Sequence, residues 1–365
     1  MEKELKSGYT TGTHATAVLV GALYEYYEDS VIKSLEVSLP KDKLAMIDIK
    51  RKEKLFFSSI KTDNDDLDVT KGCEITLKLL SKTPQNLKKQ TPSLLKINKT
   101  KIYVYGGDGI GIVTKKGLKI EPNFPAINPT PLNMMIDNSL KIIAKNEDVF
   151  HAVFSVIDGQ HIAKQTANEK VGVIGGISIL GTRGIVKPIS ADAYLDSIEA
   201  EVSVANASGS KSIVFTLGNT AHDYANENYD ESIVVEIGNF IYDGAIRLKS
   251  TKFEKMVFIS SVAKMCKIAQ ECKNTHNRFG GIDFDEVKLW LIEELGLNPD
   301  TKEYLTLKAV LQTLSIENTK KFSAFLGYKA GKSFEKWFKE LNVGIKHIEI
   351  ITLNGRDKVK RELKW

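Results

Sequence analysis

Apolar residues recur at three-to-four spacing in SGYTTGTHATAVLVGALYEYY, where Val18, Leu19, Ala22, Leu23 and Tyr26 share one helical face. Thr13 stands where a hydroxyl would cap that helix. Strand-like runs follow at 31–39, 44–50 and 74–80, so the N-terminal part reads as α+β. Between the last two lies KTDNDDLDVTKG, an acidic loop with Asp63, Asp65, Asp66 and Asp68. Residues 81–100 are polar and Lys-rich and read as a surface connection. From Lys101 the pattern becomes strand punctuated by glycine, and Pro125, Pro129 and Pro131 precede a predicted helix. VGVIGGISILGTRGIVKP (171–188) holds five glycines among apolar, β-branched residues, which suits neither a helix nor a flexible linker. Pro188 and Ser190 then introduce a helix with Ala191, Tyr194, Leu195, Ile198 and Val202 along one side.

The final third changes period. SIVFTLGNTAHDYA (212–225) and SIVVEIGNFIYDGA (232–245) match at an offset of twenty residues, and KMVFISSVAKMCKIA (255–269) repeats the strand–turn–helix shape. Apolar strands alternating with helices predict a parallel sheet covered on both faces, closing with a strand at 345–353 and leaving the Lys-rich tail on the surface. The expected organisation is an α+β region over 1–205 and a Rossmann-like α/β domain over 206–365. Ligands of such sheets sit beyond the carboxyl ends of the strands, where Gly218, Asn219, Gly238, Asn239, Ser260 and Ser261 would line up. Each Gly-Asn is equally readable as a tight turn with a helix cap.

Composition narrows the partners. A chain of 365 residues, 42% hydrophobic and 27% charged with a net charge of +5, is ordinary for a globular protein. It has no basic block interleaved with aromatics, so no nucleic-acid partner is expected. No apolar run approaches membrane-spanning length and the start lacks an apolar leader pattern, so no membrane partner and a cytoplasmic location are expected. Three cysteines fit a reducing compartment. Cys266, Cys272 and His276 read as buried thiols beside a helix-end histidine rather than as a zinc set, and no protein-bound metal is expected. The sequence leaves open whether the chain forms a homo-oligomer.

Thr10, Thr11, Gly12 and Thr13 place three hydroxyls and a bare backbone before a helix, either to hold an anion or as an elaborate cap. GGDGIG (106–111) is followed by strand rather than helix, so it reads as a hairpin turn or bulge, with Asp108 accessible. Only six of 51 basic residues are Arg, yet Arg183 falls inside the glycine-rich stretch, where its planar fork could clamp a carboxylate or form an internal ion pair. No GxxxxGK[ST] loop or helix-linked GxGxxG is present.

These motifs resemble the cobalt-precorrin-5B C-1 methyltransferases, the CbiD family of anaerobic cobalamin biosynthesis. The likeness rests on GYTTGT (8–13), DDLDVTKG (65–72), GIGIVTKKGL (109–118), PAINPTP (125–131), IAKQTANEKVGVIGGISILGTRGIVKP (162–188) and NTH (274–276), and fades after about residue 281. It implies methyl transfer from S-adenosylmethionine to C-1 of a cobalt-containing tetrapyrrole, with cobalt arriving only inside the substrate; a non-catalytic tetrapyrrole-binding or carrier protein is the rival. On this resemblance Thr10, Thr11, Gly12, Thr13, Asn128, Gly175, Gly176, Thr182, Arg183 and Lys187 are candidates for the tetrapyrrole. Asp65, Asp66, Asp108 and His276 are candidate bases, and Gly218, Asn219, Gly238, Asn239 and Lys264 candidates for the methyl donor. The chain departs from the family in carrying His14 after TTGT, where Cys is common, and SSVAK (260–264) where many members have GHIGK.

Overall fold

The first amphipathic stretch forms the helix Thr11–Glu28, capped by Thr10, whose hydroxyl accepts the Thr13 amide. It starts ahead of the expected cap at Thr13 and is buried almost all round, so a one-sided apolar pattern understates how much of it is covered. The computed structural model describes residues 6–62, 64, 65, 68–87, 89–143, 147–186, 191–297, 306–355 and 357–365. The chain divides into two units, Met1–Ala193 and Tyr194–Trp365, both mixed α/β.

In the first unit a six-stranded mixed sheet runs in the order Lys50–Glu53, Phe56–Ile60, Glu74–Leu80, Val149–Val156, Thr100–Gly106, Ser93–Ile97. Its neighbours are antiparallel except Val149–Val156 and Thr100–Gly106, which run parallel. Helices Thr11–Glu28 and Pro129–Ser139 contribute Leu19, Leu23 and Met135 to a core with Phe57, Leu77 and Phe154 of the sheet. A separate ribbon pairs Ser34–Leu39 with Lys43–Asp48.

Two expectations change here. Residues 81–100 are not simply a surface connection, because Ser93–Ile97 is an edge strand with Ser93, Leu95 and Ile97 buried and Leu94 and Lys96 outward. The polar run SKTPQNLKKQTP (81–92) ahead of it hid this short strand. GGDGIG is not a hairpin turn either. Gly109–Ile110 pairs in parallel with Gly176–Ile177, and Ile112–Val113 pairs antiparallel with Val173–Ile174, so both partners lie far along the chain.

The second unit holds a five-stranded sheet ordered Val234–Glu236, Ser212–Leu217, Lys255–Ser261, His347–Asn354, Asp357–Lys364. The first four strands are parallel and the last is antiparallel. The twenty-residue repeat is the cross-strand register itself: Val214, Phe215 and Thr216 lie opposite Val234, Val235 and Glu236. Alternate residues of the strands feed two cores. Phe215, Phe258 and Ile350 meet Phe334 and Trp337 of the helix Ile316–Leu341 on one face. Val214, Val257 and Ile351 meet Ala221 and Ala225 of the helix Asn219–Asn228 on the other. The Lys-rich tail, expected on the surface, is the largely exposed edge strand, and its charged outer face protects that edge from pairing with another chain.

Candidate functional site

In the first unit the two longest motifs close on each other. Gly8–Tyr9 pairs with Ile185–Val186. The Thr10 amide donates to the Gly184 carbonyl and the Gly12 amide to Leu180, both at 3.0 Å. The Thr11 hydroxyl accepts the Leu180 amide at 2.9 Å, and the Thr13 hydroxyl donates to the Gly184 carbonyl at 2.7 Å. The three threonines are buried; the Thr11 and Thr13 hydroxyls are spent on the 178–184 loop, and that of Thr10 on Thr13. Gly12 is bare because a β-carbon there would lie 2.7 Å from Pro131.

The glycines have a similar explanation. A β-carbon on Gly176 would stand 2.2 Å from the Gly109 backbone, and one on Gly159 2.3 Å from the same residue's carbonyl oxygen. Three main chains cross at this point with no width for side chains, so Gly176 does not front a ligand. Gly175 differs. It is exposed, sits at φ +89° and has nothing within 4 Å of its would-be β-carbon. Asp108, the residue before Gly109 of that crossing, is exposed, and its carboxylate makes no hydrogen bond among the described residues.

Thr182 and Arg183 are exposed on the clasped loop. Asn128 starts the helix Pro129–Ser139 without a side-chain cap bond, while its amide donates to Ile179 of the same loop. Asp65 is exposed and accepts the Lys6 amide at 2.7 Å. Asp66 and Lys187 lie outside the described residues.

Beneath the clasp, His14 is fully buried. Ser59 Oγ donates to the Asp48 carbonyl at 2.6 Å, so it accepts from His14 Nδ1 at 2.8 Å, while His14 Nε2 accepts the Thr62 amide at 3.4 Å. Burial, helped by the nearby Lys61 charge, brings its pKa down to about 4, and the ring is neutral at pH 7. Lys61 is itself buried against Asp68. Burial alone would raise the Asp68 carboxyl, but the Lys61 charge and hydrogen bonds from Lys61 and Thr70 hold it below the usual range.

In the second unit, strand order reverses around Ser212–Leu217: the chain crosses from it to one neighbour, Val234–Glu236, then returns to the other, Lys255–Ser261. A crevice opens beyond the carboxyl ends at such a reversal. Gly218, at φ +96°, starts the helix Asn219–Asn228 with no side-chain cap, and the Asn219 and Thr220 amides have no acceptor among the described residues. Among the described residues beyond its chain neighbours, only Lys264 Nζ comes within 4 Å of where a Gly218 β-carbon would stand, at 3.3 Å. Lys264 is half-buried and makes no hydrogen bond or ion pair among the described residues. Burial lowers its pKa, opposed by Glu236 and reinforced by Lys267.

The second Gly-Asn behaves differently. Gly238 is bare because the Tyr194 hydroxyl would lie 2.9 Å from a β-carbon there, and that hydroxyl donates to the Glu236 carbonyl. Asn239 Oδ1 accepts the Thr275 hydroxyl at 2.9 Å. His276 is exposed, and its Nδ1 accepts the Arg278 amide. Among the described residues no three His, Cys, Asp or Glu side chains gather as a metal set, and no helix is long and apolar enough to cross a membrane. Sequence reading missed Lys267; a lone Lys inside the apolar run Met265–Ala269 was the available signal.

The geometry thus defines a mixed α/β protein with one glycine-dense clasp and one half-buried lysine beside the start of the helix Asn219–Asn228. The chain belongs to the CbiD family, whose model matches residues 1–188. It is 35% identical over 280 residues to a cobalt-precorrin-5B C(1)-methyltransferase of Thermoanaerobacter sp. (strain X514), covering 75% of this chain and 72% of that protein. The protein of the same name from Methanocaldococcus jannaschii is 35% identical, covering 76% and 74%, and that of Clostridium perfringens (strain 13) 33% identical, covering 79% and 76%. A crystal structure of the cobalamin biosynthesis protein cbiD from Archaeoglobus fulgidus matches at 26% identity and a TM-score of 0.38, covering 70% of this chain and 77% of that one.

Proposed function

We propose that this protein is a cobalt-precorrin-5B C(1)-methyltransferase that takes its methyl group from S-adenosylmethionine, bound in a Rossmann-like second unit. Family membership supports the reaction, and the position of Lys264 supports the site. An uncommitted ammonium beside a side-chain-free helix start, with two free amides, is suited to a small anionic group such as the donor's carboxylate. The tetrapyrrole, with cobalt as part of the substrate, is assigned to the first unit, where exposed Gly175, Thr182 and Arg183 and half-buried Asn128 offer bare backbone and polar side chains.

A sulfonium methyl is already activated, so the chain's task is to hold the reacting groups in line and keep water out. Asp108 is the preferred base for a proton leaving the macrocycle, because its carboxylate is exposed and makes no hydrogen bond among the described residues. Asp65 and His276 each already accept a backbone amide. Calorimetric titration with S-adenosylhomocysteine tests the crevice. Binding by the native protein and at least tenfold weaker binding by Lys264→Ala are expected, and a native protein that shows no binding overturns the assignment.

A further inference from the structure

Lys267 lies in the helix Val262–Ala269 with 7% of its surface exposed, and it faces no acidic partner in any contact the structure records. Its three ammonium protons go instead to the Thr275 carbonyl at 3.0 Å, Asn277 Oδ1 at 2.8 Å and the Gly280 carbonyl at 3.1 Å. A charge taken out of water without a counter-ion is costly unless every proton is satisfied, and here all three acceptors come from one loop. That loop leaves the helix at Glu271, in left-handed backbone at φ 59°, and folds back past it. Its far side is tied to the carboxyl end of the sheet: Thr275 bonds Asn239 through both its amide and its hydroxyl, and the Lys273 carbonyl accepts the Tyr242 amide.

We infer that Lys267 is a positioning residue: it clips the loop 272–280 against the carboxyl end of the sheet and so shapes one wall of the methyl-donor crevice. The inference rests on the donor assignment made above. Without the ammonium, the Thr275 and Gly280 carbonyls lose that donor, and the loop keeps its bonds to Asn239 and Tyr242 and the backbone bond from the Cys272 amide to the Lys267 carbonyl. Lys264, one helical turn earlier, then aims into a crevice with a loosened wall. An ordinary packing residue would affect unfolding alone, whereas a clip affects the loop and the ligand while the sheet stays intact.

The test compares the native protein with Lys267→Met and Asn277→Ala, the second removing one acceptor at an exposed position. S-adenosylhomocysteine affinity is read by calorimetry, and amide exchange is followed for 272–280 and for the strand Lys255–Ser261. Lys267→Met is expected to weaken binding at least tenfold and Asn277→Ala severalfold. Exchange in the loop should rise at least tenfold while the strand stays protected. KM for the methyl donor should rise more than kcat falls. Should Lys267→Met not fold, Asn277→Ala decides the matter alone. Native affinity in the variants, or equal loss of protection in loop and strand, overturns the clip. A native protein that does not bind the ligand instead overturns the donor site, and this inference with it.

Discussion

At the level of single residues, His14 illustrates how a side chain that looks chemical can be structural. Both ring nitrogens are used, one toward Ser59 and one toward Thr62, and only the neutral ring fits. Its folded pKa of about 4 lies below the ordinary 6.5, so the unfolded chain takes up the proton first as pH falls. The stability is complete above about 6.5 and is lost between there and about 4, amounting to roughly 3 kcal/mol. Urea unfolding at pH 7 and pH 4 should show the native protein losing about that much more than His14→Asn; equal losses would refute the buried neutral ring. Gly176 gives a second case. Gly176→Ala drives a β-carbon into the Gly109 main chain and should cost about 3 kcal/mol. Gly175→Ala meets open space and bears only its φ of +89°, about 1 kcal/mol. Equal urea midpoints for the two variants would contradict the three-chain crossing.

Among elements, the clasp between 8–13 and 178–186 is the feature that gives two distant motifs a common cause. The Thr11 hydroxyl is the hydrogen-bond partner of the Leu180 amide, so Thr11→Val leaves that amide without one and should cost about 2 kcal/mol, with raised exchange at Leu180 as the local sign. Unchanged exchange there would mean that the clasp is held elsewhere. The elements legible in the sequence were those with local causes. The helical spacing after Gly12 and the alternation of strand and helix beyond 206 could be read directly, and the twenty-residue repeat foreshadowed the register of Val214 with Val234. What stayed hidden depends on partners far along the chain. Nothing near Gly109 announces that Gly176 and Gly159 cross it, and nothing near Thr11 announces Leu180. The candidate site was half legible for the same reason: Lys264 and Gly218 were both readable as single positions, but their approach across the strand reversal, and the Lys267 clip behind it, exist only in the fold.

For the whole molecule, each proposed ligand site is built from residues of one unit, around cores that are separate. Arg183 and Asp108 belong to the first and Lys264 and Lys267 to the second, so substitutions should sort by ligand rather than weaken everything together. Arg183→Ala should weaken tetrapyrrole binding about tenfold while leaving S-adenosylhomocysteine affinity and thermal stability nearly unchanged, since the side chain is exposed and a charged fork is what the substrate's carboxylates require. Lys264→Ala should do the reverse. With each ligand titrated alone, the double variant should show each single loss undiminished, within about 0.5 kcal/mol of additivity. The carboxylates of the tetrapyrrole also make its binding sensitive to salt in a way that removing Arg183 should flatten. If Arg183→Ala instead lowers donor affinity as strongly as substrate affinity, the division of labour between the two units is wrong, and the arginine belongs to a site that both ligands share.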